Sequence, residues 1–160
     1  MTIKVGDLMP SGNFGIMTES GPSLISTNEL FDTKRVVLIS VPGAFTPVCS
    51  DNHLAGYLDK INVIKSRNID LVACMAVNDV FVLNAWAKEL QIGKNLLMLA
   101  DGNGDYAKAL DLELDSTKFG MGVRSQRFSS IIDNGEVKYL AVDNPGQFKV
   151  SKVELILDVI

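Results

Sequence analysis

The chain predicts an α/β fold, a mixed central sheet flanked by helices, and three features carry that expectation. Strand-like apolar runs alternate with helix-like stretches through the first two thirds of the sequence. Asp133-Asn134-Gly135 then separates two more apolar runs, which is the signal of a tight antiparallel hairpin. Size is the third: 160 residues, 47% of them hydrophobic, suffice for one domain, residues 1–160, with a substantial core.

Taken in order, Phe14 to Thr18 has strand character and forms an N-terminal strand extension, and a short helix follows near Asn28 to Phe31. Val36 to Val41 is apolar throughout and reads as a buried strand. A helix from about 47 to 65 comes next. Thr46 suits its N-cap and Pro47 its first position, where a missing N–H costs nothing. Leu54, Tyr57, Leu58, Ile61 and Ile64 repeat at helical spacing and mark the face that packs inward. Ile69 to Val77 is a strand, Asp79 to Leu90 a helix, Leu96 to Ala100 a strand and Tyr106 to Leu110 a short helix. Phe128 to Asp133 and Val137 to Val142 flank the hairpin turn, and Val153 to Ile160 closes the chain as a helix. This order is that of thioredoxin-like folds.

Cys49 lies near the third position of the helix that begins after Thr46, directly beyond the carboxyl end of a strand. Unpaired N–H groups and the positive end of the helix dipole favour negative charge there, so the thiol is expected to ionise readily and act as a nucleophile. The carboxyl ends of strands are also where open α/β sheets bind ligands. Cys74 is different. It sits in the middle of Leu71 to Val77, a strand buried on both faces, and reads as core packing. Following the chain along helix and returning strand separates the two thiols by more than about 10 Å, beyond the reach of a disulfide. A redox role for Cys74 after local unfolding is the minority reading.

Composition narrows the partners. A net charge of −4, with Lys34, Lys60, Lys65, Lys88 and Lys149 scattered among acids, argues against nucleic acid. No apolar run approaches the length of a membrane span, and the N-terminus lacks a long apolar segment of the kind that directs export. Two cysteines 25 positions apart form neither a disulfide framework nor a zinc or Cys-x-x-Cys pattern, so a reducing compartment, the cytoplasm, is expected and no metal.

Three further candidates deserve weighing. His53, one turn beyond Cys49, could form a cysteine hydrolase dyad with it, although the imidazole would stack beneath the thiol with little access to substrate. Asp101-Gly-Asn-Gly-Asp105 imitates the start of a calcium loop, but Tyr106 and Leu112 occupy the positions that need glycine and glutamate, and a turn entering a helix explains it. Arg124 and Arg127 precede the first hairpin strand, and a guanidinium at Arg127 could reach across the sheet end to the Cys49 thiolate.

Pro42-Gly43-Ala44-Phe45-Thr46-Pro47-Val48-Cys49-Ser50, with His53-Leu54 behind it, resembles the active-site segment of peroxiredoxins, in particular the peroxiredoxin-5 or type II group. The resemblance continues through residues 72–86, 99–104 and 122–129. It implies a thiol peroxidase for hydrogen peroxide and small organic hydroperoxides that needs no cofactor. Cys49 would be the peroxidatic cysteine, Thr46 the hydroxyl in contact with thiolate and peroxide, Pro42 a shield over the site and Arg127 the cationic partner. Backbone N–H groups of Val48 and Cys49 would meet the peroxide oxygens. Residues 147–152, where some relatives carry a resolving cysteine, contain none. An external thiol, glutathione with glutaredoxin or thioredoxin, is therefore the expected reductant, and the resemblance also implies a non-covalent homodimer. A redox-silent binding module of the same fold is the remaining alternative.

Overall fold

Apolar side chains at successive positions of a strand point to opposite faces, so a run such as Val36-Val37-Leu38-Ile39 requires cover on both sides. The computed structural model spans residues 1–160 and describes every side chain except those of Cys49 and Ser50. Its strands are β1 (Asn13–Thr18), β2 (Gly21–Ser26), β3 (Arg35–Ser40), β4 (Leu71–Ala76), β5 (Leu97–Ala100), β6 (Glu113–Asp115), β7 (Val123–Ser125), β8 (Phe128–Asp133) and β9 (Glu136–Val142). Seven of them form one sheet in the order β2-β1-β5-β4-β3-β8-β9, while β6 and β7 pair separately. β3, β4 and β5 run parallel, and the strands outside them are antiparallel to their neighbours. This is the mixed sheet of the thioredoxin-like expectation, with the N-terminal strands added beyond β5.

The helices are α1 (Thr27–Phe31), α2 (Ala55–Asp59), α3 (Ile61–Ser66), α4 (Val80–Glu89), α5 (Asp105–Ala109) and α6 (Val153–Leu157). Val37 and Ile39 pack with Tyr57, Ile64, Trp86 and Ile156 of α2, α3, α4 and α6. Val36 and Leu38 face the other way, toward Phe31 of α1 and Tyr106 of α5. Local signals fix the ends of several elements. Ser26 and Glu29 make a reciprocal capping box at α1, and Asp79 accepts from the Val82 N–H to start α4. Asn134 and Gly135 adopt φ of +49° and +83°, the left-handed pair that a two-residue hairpin turn needs.

Three expectations change. The single helix over 47–65 is interrupted: Pro47 and Val48 are α-helical, Cys49–Leu54 forms a π-helical turn, and the backbone breaks at Lys60 (φ −106°, ψ 8°) between α2 and α3. Leu54, Tyr57, Ile61 and Ile64 all still face the core, which is why their spacing gave no sign of the break. β2 was hidden because Gly21-Pro22 reads as a turn and half of the strand is exposed with none of it fully buried, as an edge strand tolerates. β6 and β7, three residues each, are too short to show periodicity.

Candidate active site

Topology brings three segments to one end of the sheet. β3 and β4 are parallel and finish together, and the register Ser40↔Phe128 sets the start of β8 beside the end of β3. Arg127, one residue before Phe128, therefore faces the connection over 41–48 that carries Pro42, Thr46 and Val48. That connection is held at several points. The Val41 N–H donates to the Met75 carbonyl (3.2 Å), the Ala44 N–H to Asn78 Oδ1 (3.0 Å) and the Thr46 hydroxyl to the Gly43 carbonyl (2.8 Å). Gly43 packs closely against this framework: a Cβ there would touch Arg124 Nη1 and Thr46 Cγ2, each at 3.4 Å, in van der Waals contact. Arg124 itself donates to the Met121 carbonyl (2.7 Å) and the Val77 carbonyl (3.0 Å), so its guanidinium ties the loop over 117–122 to the end of β4. Of the two sequence candidates, Arg124 braces this loop and Arg127 lines a pocket with Pro42 and Val48.

Pro42, Val48 and Arg127 line one pocket of about 100 Å³, together with Leu114, Asp143 and Gln147. The volume admits a molecule a few times the size of water. Thr46 stands in the same connection with its hydroxyl proton committed to Gly43, which leaves the oxygen's lone pairs as acceptors. Helical backbone begins at Pro47, as the sequence predicts, and Cys49 opens the π-helical turn. The predicted thiolate side chain of Cys49 lies outside the described residues.

Arg127 is only 8% exposed, and its guanidinium donates to His53 Nδ1 at 3.0 Å while standing over the Phe148 ring, 5.7 Å from its centroid. His53 Nε2 lies 3.1 Å from the Ser151 carbonyl oxygen. A guanidinium can only donate and a carbonyl can only accept, so the imidazole must be the neutral tautomer with its proton on Nε2. Both ring nitrogens are thus engaged. This removes His53 as the base of a hydrolase dyad. Ser151 is placed by Asp143, a buried carboxylate that accepts the N–H groups of Lys149, Val150 and Ser151 and the Ser151 hydroxyl. Burial pushes the Asp143 carboxyl upward, but these hydrogen bonds together bring it below the ordinary carboxylate value.

Burial first, and then the charge of Arg127, lower His53 from 6.5 to about 3. The folded state therefore refuses a proton that the unfolded chain accepts below 6.5. Stability is complete above that pH and declines as pH falls toward about 3, with a slope of up to about 1.4 kcal/mol per pH unit from this one group. Urea unfolding between pH 7 and 4 checks the slope. His53→Gln should flatten it, leaving the loss at lower pH that comes from protonating Asp143, Glu29 and Asp115, whose carboxyls also lie below their ordinary values.

The remaining sequence candidates lie away from this pocket. Asp101 accepts the N–H groups of Tyr106 (3.0 Å) and Ala107 (2.8 Å), which makes the imitation calcium loop a cap for α5, and no metal-binding cluster occurs among the described residues. Cys74 is 1% exposed in β4, on the sheet face that packs against Leu54 and Tyr57. Asp143, Phe148 and Ser151 were not anticipated. The signal for Asp143 was its place at the head of Asp-Asn-Pro-Gly, since a turn aspartate commonly accepts backbone N–H groups just ahead of it.

The Redoxin family pattern matches residues 4–157. Peroxiredoxin-2D of Arabidopsis thaliana is 42% identical over 156 residues, covering 97% of this chain and 96% of the relative. Reduced Prx3 of Vibrio vulnificus in complex with hydrogen peroxide is similar over 98% of each chain, with 44% identity and a TM-score of 0.94. The 1-Cys peroxiredoxin of Plasmodium falciparum is similar over 96% of each chain, with 31% identity and a TM-score of 0.88.

Proposed function

Since the chain belongs to the Redoxin family, as a thiol peroxidase of the peroxiredoxin-5 or type II group, we propose that Cys49 is its peroxidatic residue and that small hydroperoxides are its substrates. The observation that carries this reading is the shared pocket of Pro42, Val48 and Arg127 at the start of the helical segment bearing Cys49. Its volume favours hydrogen peroxide and short organic hydroperoxides over bulky ones. The Vibrio vulnificus relative was solved with hydrogen peroxide, which supports the smallest of these.

The Cys49 thiolate attacks the nearer peroxide oxygen. A sulfur–oxygen bond forms as the oxygen–oxygen bond breaks, the electron pair leaves with the far oxygen, and that oxygen takes a proton to become water or an alcohol. Cys49 is oxidised to sulfenic acid. The acceptor lone pairs of Thr46 suit the peroxide O–H, and Arg127 with the N–H groups of Val48 and Cys49 stabilises charge moving along the breaking bond. Pro42 shields the reacting atoms from water. A thiol, from glutathione with glutaredoxin or from thioredoxin, then displaces water from the sulfenic sulfur, and a second thiol releases Cys49 as a thiol together with a disulfide. Burial of Cys74 in mid-strand supports an external thiol as the resolving partner. A second reading has Cys74 resolve Cys49 after the π-helical turn unwinds, and the shared sheet face of Cys74, Leu54 and Tyr57 favours it.

A non-covalent homodimer in the cytoplasm completes the proposal. Phe45, Phe119 and Val123 are all more than half exposed on segments near the site, a face suited to a second copy. The test is peroxide consumption by the purified chain, sized by chromatography, with glutathione–glutaredoxin and thioredoxin systems in parallel. Turnover with either, and one added oxygen on Cys49 after substoichiometric peroxide without reductant, is the expected result. A Cys49–Cys74 disulfide in place of the added oxygen would favour the second reading, and oxidation elsewhere with Cys49 unchanged would overturn both.

A further inference from the structure

The Arg127 backbone carbonyl accepts the Asp143 N–H at 2.9 Å. With the contacts already described, this closes a ring of hydrogen bonds that starts and ends on one residue. From the Arg127 carbonyl it passes to Asp143, through the carboxylate to Ser151, through the Ser151 carbonyl to His53, and through Nδ1 back to the Arg127 guanidinium. Tyr57 donates to the same Ser151 carbonyl at 2.9 Å, so both lone pairs of that oxygen are used and it cannot swing away without breaking two bonds. Phe148, carried on the loop that Asp143 holds, packs against the imidazole (5.1 Å between ring centroids) and beneath the guanidinium.

We propose that His53 is a positioning residue for peroxide reduction, acting through Arg127, and that Asp143 and Ser151 set the imidazole tautomer that lets it do so. The inference rests on the role given above to Arg127. Its chemistry is specific. Only the tautomer with a bare Nδ1 can receive a guanidinium proton, and only an acceptor below His53 selects that tautomer. A protonated imidazole would offer Arg127 a second donor and a like charge. Among the described residues, the charged and titratable groups around His53 are Arg127, Asp143 and Tyr57, with Lys152 across the Phe148 ring, 5.3 Å from its centroid, and Asp51, Asp59 and Glu154 lining the adjoining pocket. Burial and Arg127 together keep the ring neutral through the physiological range.

The experiment is a double-mutant cycle of His53→Leu and Arg127→Gln in the full chain. It reads the second-order rate constant with hydrogen peroxide and the Cys49 thiolate absorbance midpoint. His53→Leu should lower the rate constant by about 10- to 100-fold, as misplacing a group by roughly an ångström does, and raise the thiolate midpoint. Added to Arg127→Gln, it should lower the rate no further, because its path to the chemistry is already cut. His53→Gln, whose carboxamide can accept from Arg127 and donate to Ser151, should recover most of the activity. Multiplying losses in the double mutant, or an undiminished rate in His53→Leu, would overturn the inference while leaving the function intact. An undiminished rate in Arg127→Gln would overturn the role of Arg127 itself. Should His53→Leu fail to fold, Asp143→Asn replaces it in the cycle, with the same expected non-additivity and the same overturning result.

Discussion

Replacing Cys49 with serine is expected to reduce peroxidase turnover by on the order of 10⁴-fold or more, to the background reaction of reductant with peroxide. A serine hydroxyl stays protonated at pH values where a thiol at a helix start can ionise, and its oxygen has no sulfenic state through which to pass the oxidation to a reductant. The fold should be unaffected, since the change only exchanges one sulfur for an oxygen at the start of a helical segment. Cys74→Ser separates the two reset routes. With an external thiol as resolving partner it retains most of the turnover, at some loss of stability from placing a hydroxyl in the core. If Cys74 resolves Cys49, turnover with thioredoxin falls sharply while sulfenic acid accumulates. Substantial turnover in Cys49→Ser, measured as peroxide consumed per mole of protein, would sink the assignment of Cys49.

The second large effect is expected at Arg127. Arg127→Gln should lower the rate constant for hydrogen peroxide by about 10²- to 10³-fold, the range seen when a preorganised donor is removed from a developing charge. The magnitude depends on burial. At 8% exposure, beside the Phe148 ring, the guanidinium acts through a medium that screens little, and an exposed cation would contribute far less. Arg127→Lys should fall between glutamine and the native residue, because it keeps the charge but loses the planar fork that meets His53 and the pocket together. Stopped-flow peroxide reduction checks both variants. A glutamine variant within twofold of the native rate would contradict the role.

The two halves of the molecule differed in how plainly they could be read from the sequence. Phe128 to Asp133 was found to the residue, because Asn134-Gly135 marks the turn and an unbroken apolar strand abuts it. β3 and β4 were found to within two residues at each end. The interruption between α2 and α3 was not, because inward-facing residues recur at helical spacing on both sides of Lys60. That Pro42, Val48 and Arg127 would come together was foreshadowed by a local motif and by the position of a guanidinium before a strand. Asp143 carried only a turn signal, and Ser151 was illegible for a physical reason. Its contribution passes through a main-chain carbonyl, which every residue possesses, and it reaches His53 across 98 positions of sequence. A motif can announce a thiol or a guanidinium, but it cannot announce a carbonyl.

The closed hydrogen-bond ring around Arg127 also sets when the chain loses disorder. A long flexible side chain surrenders up to about 2 kcal/mol of rotational entropy on being fixed in one rotamer. Here that loss belongs to folding, since His53, Phe148 and the Asp143 N–H hold both ends of the residue with no substrate present. A peroxide entering the pocket meets a cation that has already stopped moving, so the encounter has less left to organise.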